Sequence, residues 1–177
     1  MKHSVNSFLP VEREFVIDID MTDYDDIRNC CSEANICSSC WPLMTAAIKV
    51  LHRALVEDFG FQHVLWVYSG RRGVHCWISD VNVSKFDDEQ RSKLVQYLHC
   101  FEGGSETSKA KLKISYPLHP SLTAADAELR SIFENEILPY QGYLDGENWK
   151  EFVAKINDTG ILSDLLVLMV LREQKSR

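Results

Sequence analysis

The sequence has no long apolar run. Its first ten residues hold no apolar core of signal-peptide length, and its most apolar segment, 161–171, is too short to span a bilayer and contains Asp164. We therefore expect no export signal and no membrane contact, and we predict a buried helix over 161–171. Without export the six cysteines are expected to stay reduced, which makes metal ligation a better prediction than disulfide bonds.

An excess of positive charge is also missing. The net charge of -7 argues against a protein that coats nucleic acid through bulk electrostatics, so any contact with a nucleotide or nucleic acid is expected to be local. The acidic excess is concentrated in segment 18–26. Such an accumulation of like charge favours solvent exposure or bound cations. Apolar residues make up 45% of the chain and charged residues 25%, as in ordinary globular proteins.

Hydrophobic periodicity predicts a mixed α/β region followed by helices. Alternation of period two indicates strands, and apolar residues three and four apart indicate helices. The predicted strands are 14–21, 63–68 and 74–79; the predicted helices are 41–59, 87–101, 123–138, 149–156 and 161–171; and a basic linker covers 105–113. Gly60 is predicted to end the first helix and Thr123 to begin the third.

Two aspartates interrupt the first apolar strand. Residues i and i+2 of a strand point to the same side, so the carboxylates of Asp18 and Asp20 are expected on one face, about 6 to 7 Å apart along the chain. Such a pair can bind Mg²⁺ or Mn²⁺, which prefer oxygen ligands. A strand with one solvated face explains the same pattern, although aspartate is disfavoured in strands.

Four cysteines lie within eleven residues, in a segment that we call the cysteine knuckle, residues 30–40. Cys37 and Cys40 have the spacing with which two thiolates reach one tetrahedral zinc ion. Cys30 and Cys31 are adjacent, so either a bent loop brings both to the metal or one of them is a buried thiol. If all four bind, no coordination position stays open and the zinc is structural. Cys76 and Cys100 are predicted to be core thiols.

A third motif, which we call the arginine loop, residues 69–75, joins the second and third strands. Gly70 and Gly73 allow positive φ and close approach of the backbone to a ligand. The guanidinium groups of Arg71 and Arg72 match phosphate oxygens, and the motif also contains potential donors in Ser69 and His75. The alternative is a hairpin turn with two solvated arginines that pair with the acidic surface; the combination of residues favours phosphate binding.

The order and spacing of these motifs resemble the catalytic small subunit of eukaryotic DNA primase. The segment FVIDIDMTDYDD from position 15, the cysteine cluster and the segment WVYSGRRGVHCW from position 66 carry the resemblance, which is close through residues 14–80. It is looser in the helical part, where the landmarks are Leu118-His119-Pro120 and Trp149.

The resemblance implies a mixed α+β primase catalytic core with a zinc knuckle and an inserted all-helical subdomain. The core is expected over 1–118 and the helical subdomain over 119–177. Asp18 and Asp20 match catalytic residues that bind Mg²⁺ or Mn²⁺. The implied zinc ligands are Cys30, Cys31, Cys37 and Cys40, and the implied nucleotide-binding residues are Ser69, Gly70, Arg71, Arg72, Gly73 and His75.

The implied activity is synthesis of short RNA primers on single-stranded DNA from ribonucleoside triphosphates, in the nucleus. The implied partners are the large primase subunit and the DNA polymerase alpha complex. Family members have additional core segments, including one with a third metal-binding aspartate. We therefore expect a fragment, a short isoform or an incomplete gene model with exposed sheet edges. The alternative function is an inactive product that binds zinc, with nucleotide or a partner subunit as further ligands.

Overall fold

The computed structural model describes residues 11–98 and 117–155, and it has a three-stranded sheet with helices packed on one face. Strands β1 (Phe15–Asp20), β2 (Val64–Tyr68) and β3 (Gly73–Ile78) are antiparallel and ordered β1-β3-β2. The three predicted strands and the mixed α/β class are confirmed. Because β3 is central, its register sets the site: Asp18 pairs with His75, and Asp20 pairs with Gly73.

Helices fill the rest of the described chain. The first, α1 (Trp41–Arg53), continues through a π-helical turn, Ala54–Asp58, and Gly60 follows with a left-handed φ of 72°. The remaining elements are a 3-10 turn (Met21–Tyr24), α2 (Val81–Ser84), α3 (Asp88–Leu98), α4 (Pro120–Ile132), a π-helical turn (Phe133–Ile137), α5 (Leu138–Gln141) and α6 (Asn148–Lys155). None of the described helices is long and apolar enough to cross a membrane.

The predicted start of the third helix is wrong by three residues. We expected Thr123 to begin it, whereas α4 begins at Pro120. Proline suits the first helical position because its φ is already helical. His119 precedes it and replaces the expected hydroxyl cap, since its ring Nδ1 accepts the backbone N–H of Ser121 at 3.3 Å. The linker predicted over 105–113, the helix over 161–171 and Cys100 lie outside the described residues.

One face of the sheet packs on the helices. The first cluster of buried side chains joins β1 and β3 to α2 and α3, and comprises Phe15, Leu55, Cys76, Ile78, Val83 and Leu94. A second cluster lies under the arginine-loop end of the sheet: Ile19, Met21, Cys40, Met44 and Val74. Cys76 is a core thiol, as predicted, and burial raises its pKa to about 12.

A third cluster attaches the helical segment 117–155 to α1. Its buried members are Leu43 and Ala46 of α1, Ile132 of α4 and Ile137 of the following π-helical turn. The opposite face of the sheet carries Asp18 and is uncovered by any described element. Its apolar side chains are substantially exposed: Val16, Leu65, Val67 and Trp77.

Gly73 lies against β1 at a point that leaves no space for a side chain. A Cβ atom there would lie 2.2 Å from the backbone oxygen of Ile19, and neither strand can retreat without disturbing their register. We expect Gly73→Ala to lower the free energy of unfolding by roughly 3 kcal/mol, measured by urea denaturation. Gly60→Ala is the control, because only its left-handed φ is strained, at a cost of about 1 kcal/mol. Equal losses would contradict the close-contact explanation.

Candidate metal and nucleotide site

Asp18 lies in the middle of β1 and faces His75 across the strand pair. The His75 Nε2 atom lies 3.2 Å from a carboxylate oxygen of Asp18. The Asp18 side chain is 72% exposed, so its carboxylate remains accessible to a cation. The contact follows from the antiparallel register, because directly paired residues project to the same face. The structure therefore brings two of the predicted site residues together.

Asp20 ends β1, and its carboxylate makes more hydrogen bonds than that of Asp18. Its carboxylate accepts the backbone N–H of Thr22 at 2.9 Å, and it accepts Arg72 Nε at both oxygens, at 2.7 and 2.8 Å. These two hydrogen bonds, the backbone one first, lower the pKa of Asp20 to about 2. The carboxylate is therefore ionised at neutral pH, as a ligand for a divalent cation must be.

Hydrogen bonds between residues of the arginine loop hold it in a tight turn. The Ser69 backbone N–H donates to the Gly73 carbonyl at 2.9 Å, and the Gly73 N–H donates to Ser69 Oγ at 3.0 Å. Gly70 has a positive φ of 86°, as the glycine pattern predicts, whereas Gly73 is required by its approach to Ile19. Arg71 is exposed at the loop tip, and its backbone carbonyl accepts the Tyr68 hydroxyl at 2.7 Å.

The guanidinium of Arg72 uses one nitrogen to bind Asp20 and leaves the other two for a ligand. Its Nε donates to Asp20, while the described residues provide no hydrogen-bond partner for its two terminal NH₂ groups. The guanidinium can therefore retain Asp20 and still offer two donors to an oxyanion. The sequence predicted a phosphate contact for Arg72, with pairing to the acidic surface as the alternative, but it did not identify Asp20, 52 positions away, as the partner.

Asp18 and Asp20 supply two carboxylates, which is a partial ligand set. Within 11–98 and 117–155, the one group of three or more clustered potential metal ligands is formed by cysteines. Mg²⁺ typically binds through one or two carboxylates and completes its octahedron with waters and substrate phosphates. The two carboxylates, exposed at Asp18 and half-buried at Asp20, lie beside a loop with cationic donors and fit that mode of binding.

The cysteine knuckle brings all four predicted thiols together. The Sγ atoms of Cys30, Cys31, Cys37 and Cys40 lie within 4.8 Å of one another, with close pairs at 3.0 to 3.8 Å. A tetrahedral zinc site with bonds of about 2.3 Å requires sulfurs about 3.8 Å apart. The donor set thus fits a metal ion such as zinc, and the loop bends enough for both adjacent cysteines to join it.

Two buried polar residues support the knuckle, and sequence reasoning did not select either. Arg28 donates to the carbonyls of Glu33 and Asn35, each at 2.9 Å, and to the Cys40 sulfur at 3.4 Å. Gln141, at the end of α5, donates to Cys30 Sγ at 3.4 Å. The one feature of the sequence that could have indicated the role of Arg28 is its position within a polar loop. No feature indicated the role of Gln141, because it lies 111 residues from Cys30.

The knuckle also favours a thiolate before any metal binds. Burial alone disfavours ionisation of Cys40, but hydrogen bonds from the Cys31 thiol, the Cys37 backbone, the Cys30 thiol and Arg28 outweigh it. Together they lower the pKa of Cys40 to about 6. A thiolate is the form of cysteine that binds metal, so the fold prepares one ligand for coordination.

Comparison with known proteins points to a single family. The family model for the DNA primase small subunit matches residues 17–174. The DNA primase small subunit of Schizosaccharomyces pombe is 41% identical over 170 residues, which cover 96% of this chain and 36% of the relative. That of Drosophila melanogaster is 42% identical over 136 residues, covering 68% of this chain and 31% of the relative.

More distant similarity extends to the archaeal DNA primase small subunit PriS. The protein from Methanobrevibacter smithii is 25% identical over 171 residues, covering 81% of this chain and 51% of that protein. This chain spans about a third of the length of the eukaryotic relatives described above. The family model covers most of the chain, including both aspartates, the cysteine knuckle and the arginine loop. The chain belongs to the DNA primase small subunit family.

Proposed function

We propose that the Asp18 edge of the sheet and the arginine loop form the metal and nucleotide site of a primase catalytic subunit. The reaction is synthesis of short RNA primers on single-stranded DNA from ribonucleoside triphosphates. One observation carries the proposal: the β1–β3 register places Asp18 against His75 and Asp20 against the arginine loop. Carboxylates for a cation on β1 and donors for phosphates in the arginine loop thus lie next to each other.

Asp18 and Asp20 would hold Mg²⁺ or Mn²⁺. When bound, the ion would activate the attacking 3′-hydroxyl and stabilise charge on the departing pyrophosphate. His75 orients Asp18, and Thr22 and Arg72 fix Asp20, so both carboxylates are positioned before a ligand arrives. Such positioning reduces the reorganisation that the reaction would otherwise require.

The arginine loop would bind the triphosphate of the incoming nucleotide. Arg71 and the terminal NH₂ groups of Arg72 provide charged donors, and the Ser69 hydroxyl can donate while its oxygen accepts the Gly73 N–H. The net charge of the chain is -7, so these arginines supply a local attraction that the whole molecule does not.

Removing the Arg72 guanidinium is expected to weaken nucleotide binding. Arg72→Ala should raise the dissociation constant for ATP about tenfold at low salt, because a hydrogen bond to a charged group contributes about 1.5 to 3 kcal/mol. Fluorescence titration with a labelled nucleotide measures it, and the effect should shrink at high salt. Arg130→Ala, which removes the same charge from the exposed surface of α4, is the control. Equal affinities for Arg72→Ala and Arg130→Ala would contradict the assignment.

We also propose that the cysteine knuckle binds one structural Zn²⁺. Four thiolates leave no open position on a tetrahedral ion, so the zinc would support the fold and take no part in the chemistry. The proposal also includes two partners, the large primase subunit and the DNA polymerase alpha complex. It assigns the protein to the nucleus. Membership of the family and the close resemblance of residues 14–80 to the eukaryotic subunit support these assignments.

A second candidate function is binding of zinc and nucleotide without turnover. It is favoured by the ligand count: in the described part of the chain, no cluster of three or more potential metal ligands includes Asp18 or Asp20. In that case the arginine loop would still bind phosphates, and the knuckle would still bind zinc, but the metals needed for transfer would be held too weakly.

Primer synthesis separates the two functions. The 177-residue chain is incubated with a single-stranded template, ribonucleotides and Mn²⁺, with and without the large primase subunit. Products of a few nucleotides support the catalytic proposal. Absence of product in both reactions, from a chain that binds ATP and one zinc ion, would overturn it in favour of binding without turnover.

A further inference from the structure

Gln141 uses every polar group of its side chain to connect the helical segment 117–155 to the cysteine knuckle and to Asn29, the residue before it. Its Nε2 donates to the Ser39 carbonyl at 2.5 Å and to Cys30 Sγ at 3.4 Å, while its Oε1 accepts the Asn29 backbone N–H at 2.8 Å. Gln141 is 2% exposed. A buried amide is costly unless its hydrogen bonds are made, and here all the partners lie in residues 29–39.

Arg28, whose side chain is fully buried, contacts other sulfurs of the cluster. Its guanidinium donates to the sulfurs of Cys40 at 3.4 Å and Cys31 at 3.7 Å. Four thiolates around one Zn²⁺ carry a net charge of about -2, which needs compensation in a partly buried site. Arg28 supplies a positive charge from the chain just before the knuckle, and Gln141 supplies a neutral donor from a distant helix.

The position of the two donors makes their roles different. Arg28 also hydrogen-bonds the carbonyls of Glu33 and Asn35 and pairs with Asp25, so it shapes the loop with or without a metal. Gln141 belongs to a distant part of the chain, and it reaches the sulfurs only when α5 is docked on the knuckle. Its hydrogen bond to Cys30 therefore links the state of the metal site to the docking of α5.

We propose that Gln141 is a positioning residue that couples zinc binding to the docking of the helical segment 117–155. Its amide stabilises the Cys30 thiolate and so slows the loss of zinc. In turn, the zinc-bound thiolate fixes α5 against the knuckle. This inference rests on the proposed zinc site, since it concerns the hydrogen-bond donors around the same sulfurs. Donors to metal ligands typically change metal affinity about 10- to 100-fold.

Zinc release to a chromogenic chelator tests the first half of the coupling. Gln141→Met keeps the size of the side chain but removes its donors, and Gln141→Glu keeps an acceptor for the Asn29 N–H while removing the donor to sulfur. We expect both to release zinc about tenfold faster than the unaltered chain. Release at the unaltered rate from both variants would overturn the proposal.

Tyr143→Phe is the matched control. The Tyr143 hydroxyl donates to the Ile27 carbonyl, so it joins the same helical segment to the same loop without a hydrogen bond to a sulfur. Its ring stacks on Phe152, which phenylalanine preserves. Zinc release from Tyr143→Phe should match that of the unaltered chain. Acceleration equal to that of the Gln141 variants would show general loosening of the segment and would overturn the sulfur-specific role.

Hydrogen exchange tests the reciprocal half. Removing zinc under reducing conditions should accelerate exchange of the Asn29 amide and of α5 in the unaltered chain, and should change them less in Gln141→Met, where the link is already broken. Equal acceleration in both chains would overturn the coupling. A chain that binds no zinc would instead contradict the proposed metal site. A chain that binds zinc with the same release rate in all variants would contradict only the role of Gln141.

Discussion

Replacing Asp18 and Asp20 together with asparagine is expected to abolish primer synthesis while leaving the fold and the bound zinc intact. Asparagine preserves the shape of both side chains but removes the charges that would hold the divalent cation. Loss of even one preorganised electrostatic group typically costs about 100- to 1,000-fold in rate, so loss of both should reduce synthesis to background. The measurement is primer yield with ribonucleotides, Mn²⁺ and the large subunit.

The matched control removes two carboxylates elsewhere. Asp88→Asn with Asp126→Asn makes the same change in net charge at exposed positions on α3 and α4. This variant should synthesise primers like the unaltered chain. If the Asp18 and Asp20 variant retains activity comparable with the control, the catalytic role of the carboxylate pair is wrong, whatever its effect on nucleotide affinity.

Cys40→Ser is expected to have the second large effect, on zinc content and stability together. The Cys40 sulfur lies 3.0 to 3.7 Å from the other three, and the residue is fully buried beside Met21 and Met44. Because a structural zinc contributes its binding free energy to folding, losing it should lower the free energy of unfolding by more than about 2 kcal/mol. Zinc analysis should fall from one ion per chain to background.

Cys76→Ser separates loss of the metal from loss of a buried thiol. Cys76 is also fully buried, but it lies in the sheet cluster away from the knuckle. A serine there should destabilise the fold through a buried hydroxyl while zinc stays at one ion per chain. Zinc retained at full occupancy by Cys40→Ser would contradict the four-cysteine site.

The sequence predicted the parts of the molecule that depend on local pattern. Alternating apolar residues located the three strands, and the arginine loop between β2 and β3 indicated a hairpin. Together with the antiparallel pairing of β1, this places Asp18 opposite His75. The thiol spacing predicted a metal cluster but left the adjacent Cys30 and Cys31 undecided, because their convergence depends on a loop bend that spacing does not specify.

The remaining features depend on contacts between distant residues. The Arg72–Asp20 pair arises from the register of two strands, and the Gln141 contact with Cys30 requires α5 to dock on a loop from the other half of the chain. The sequence indicated that Gly73 lets the loop backbone approach a ligand. In the structure, the backbone of Ile19 leaves no space for a side chain at this position. The sequence pattern favoured Thr123 as the start of α4. In the structure His119 caps the helix and Pro120 begins it.

The most direct test of the shared metal and nucleotide site is the Mn²⁺ dependence of nucleotide affinity in three chains. A labelled ribonucleoside triphosphate is titrated with and without Mn²⁺ into the unaltered chain, the Asp18→Asn with Asp20→Asn variant and the Asp88→Asn with Asp126→Asn control. We expect Mn²⁺ to tighten binding about tenfold in the unaltered chain and the control, and to have little effect in the Asp18 and Asp20 variant, which keeps its arginines. The same Mn²⁺ effect in all three chains would show that Asp18 and Asp20 do not bind the cation that accompanies the nucleotide.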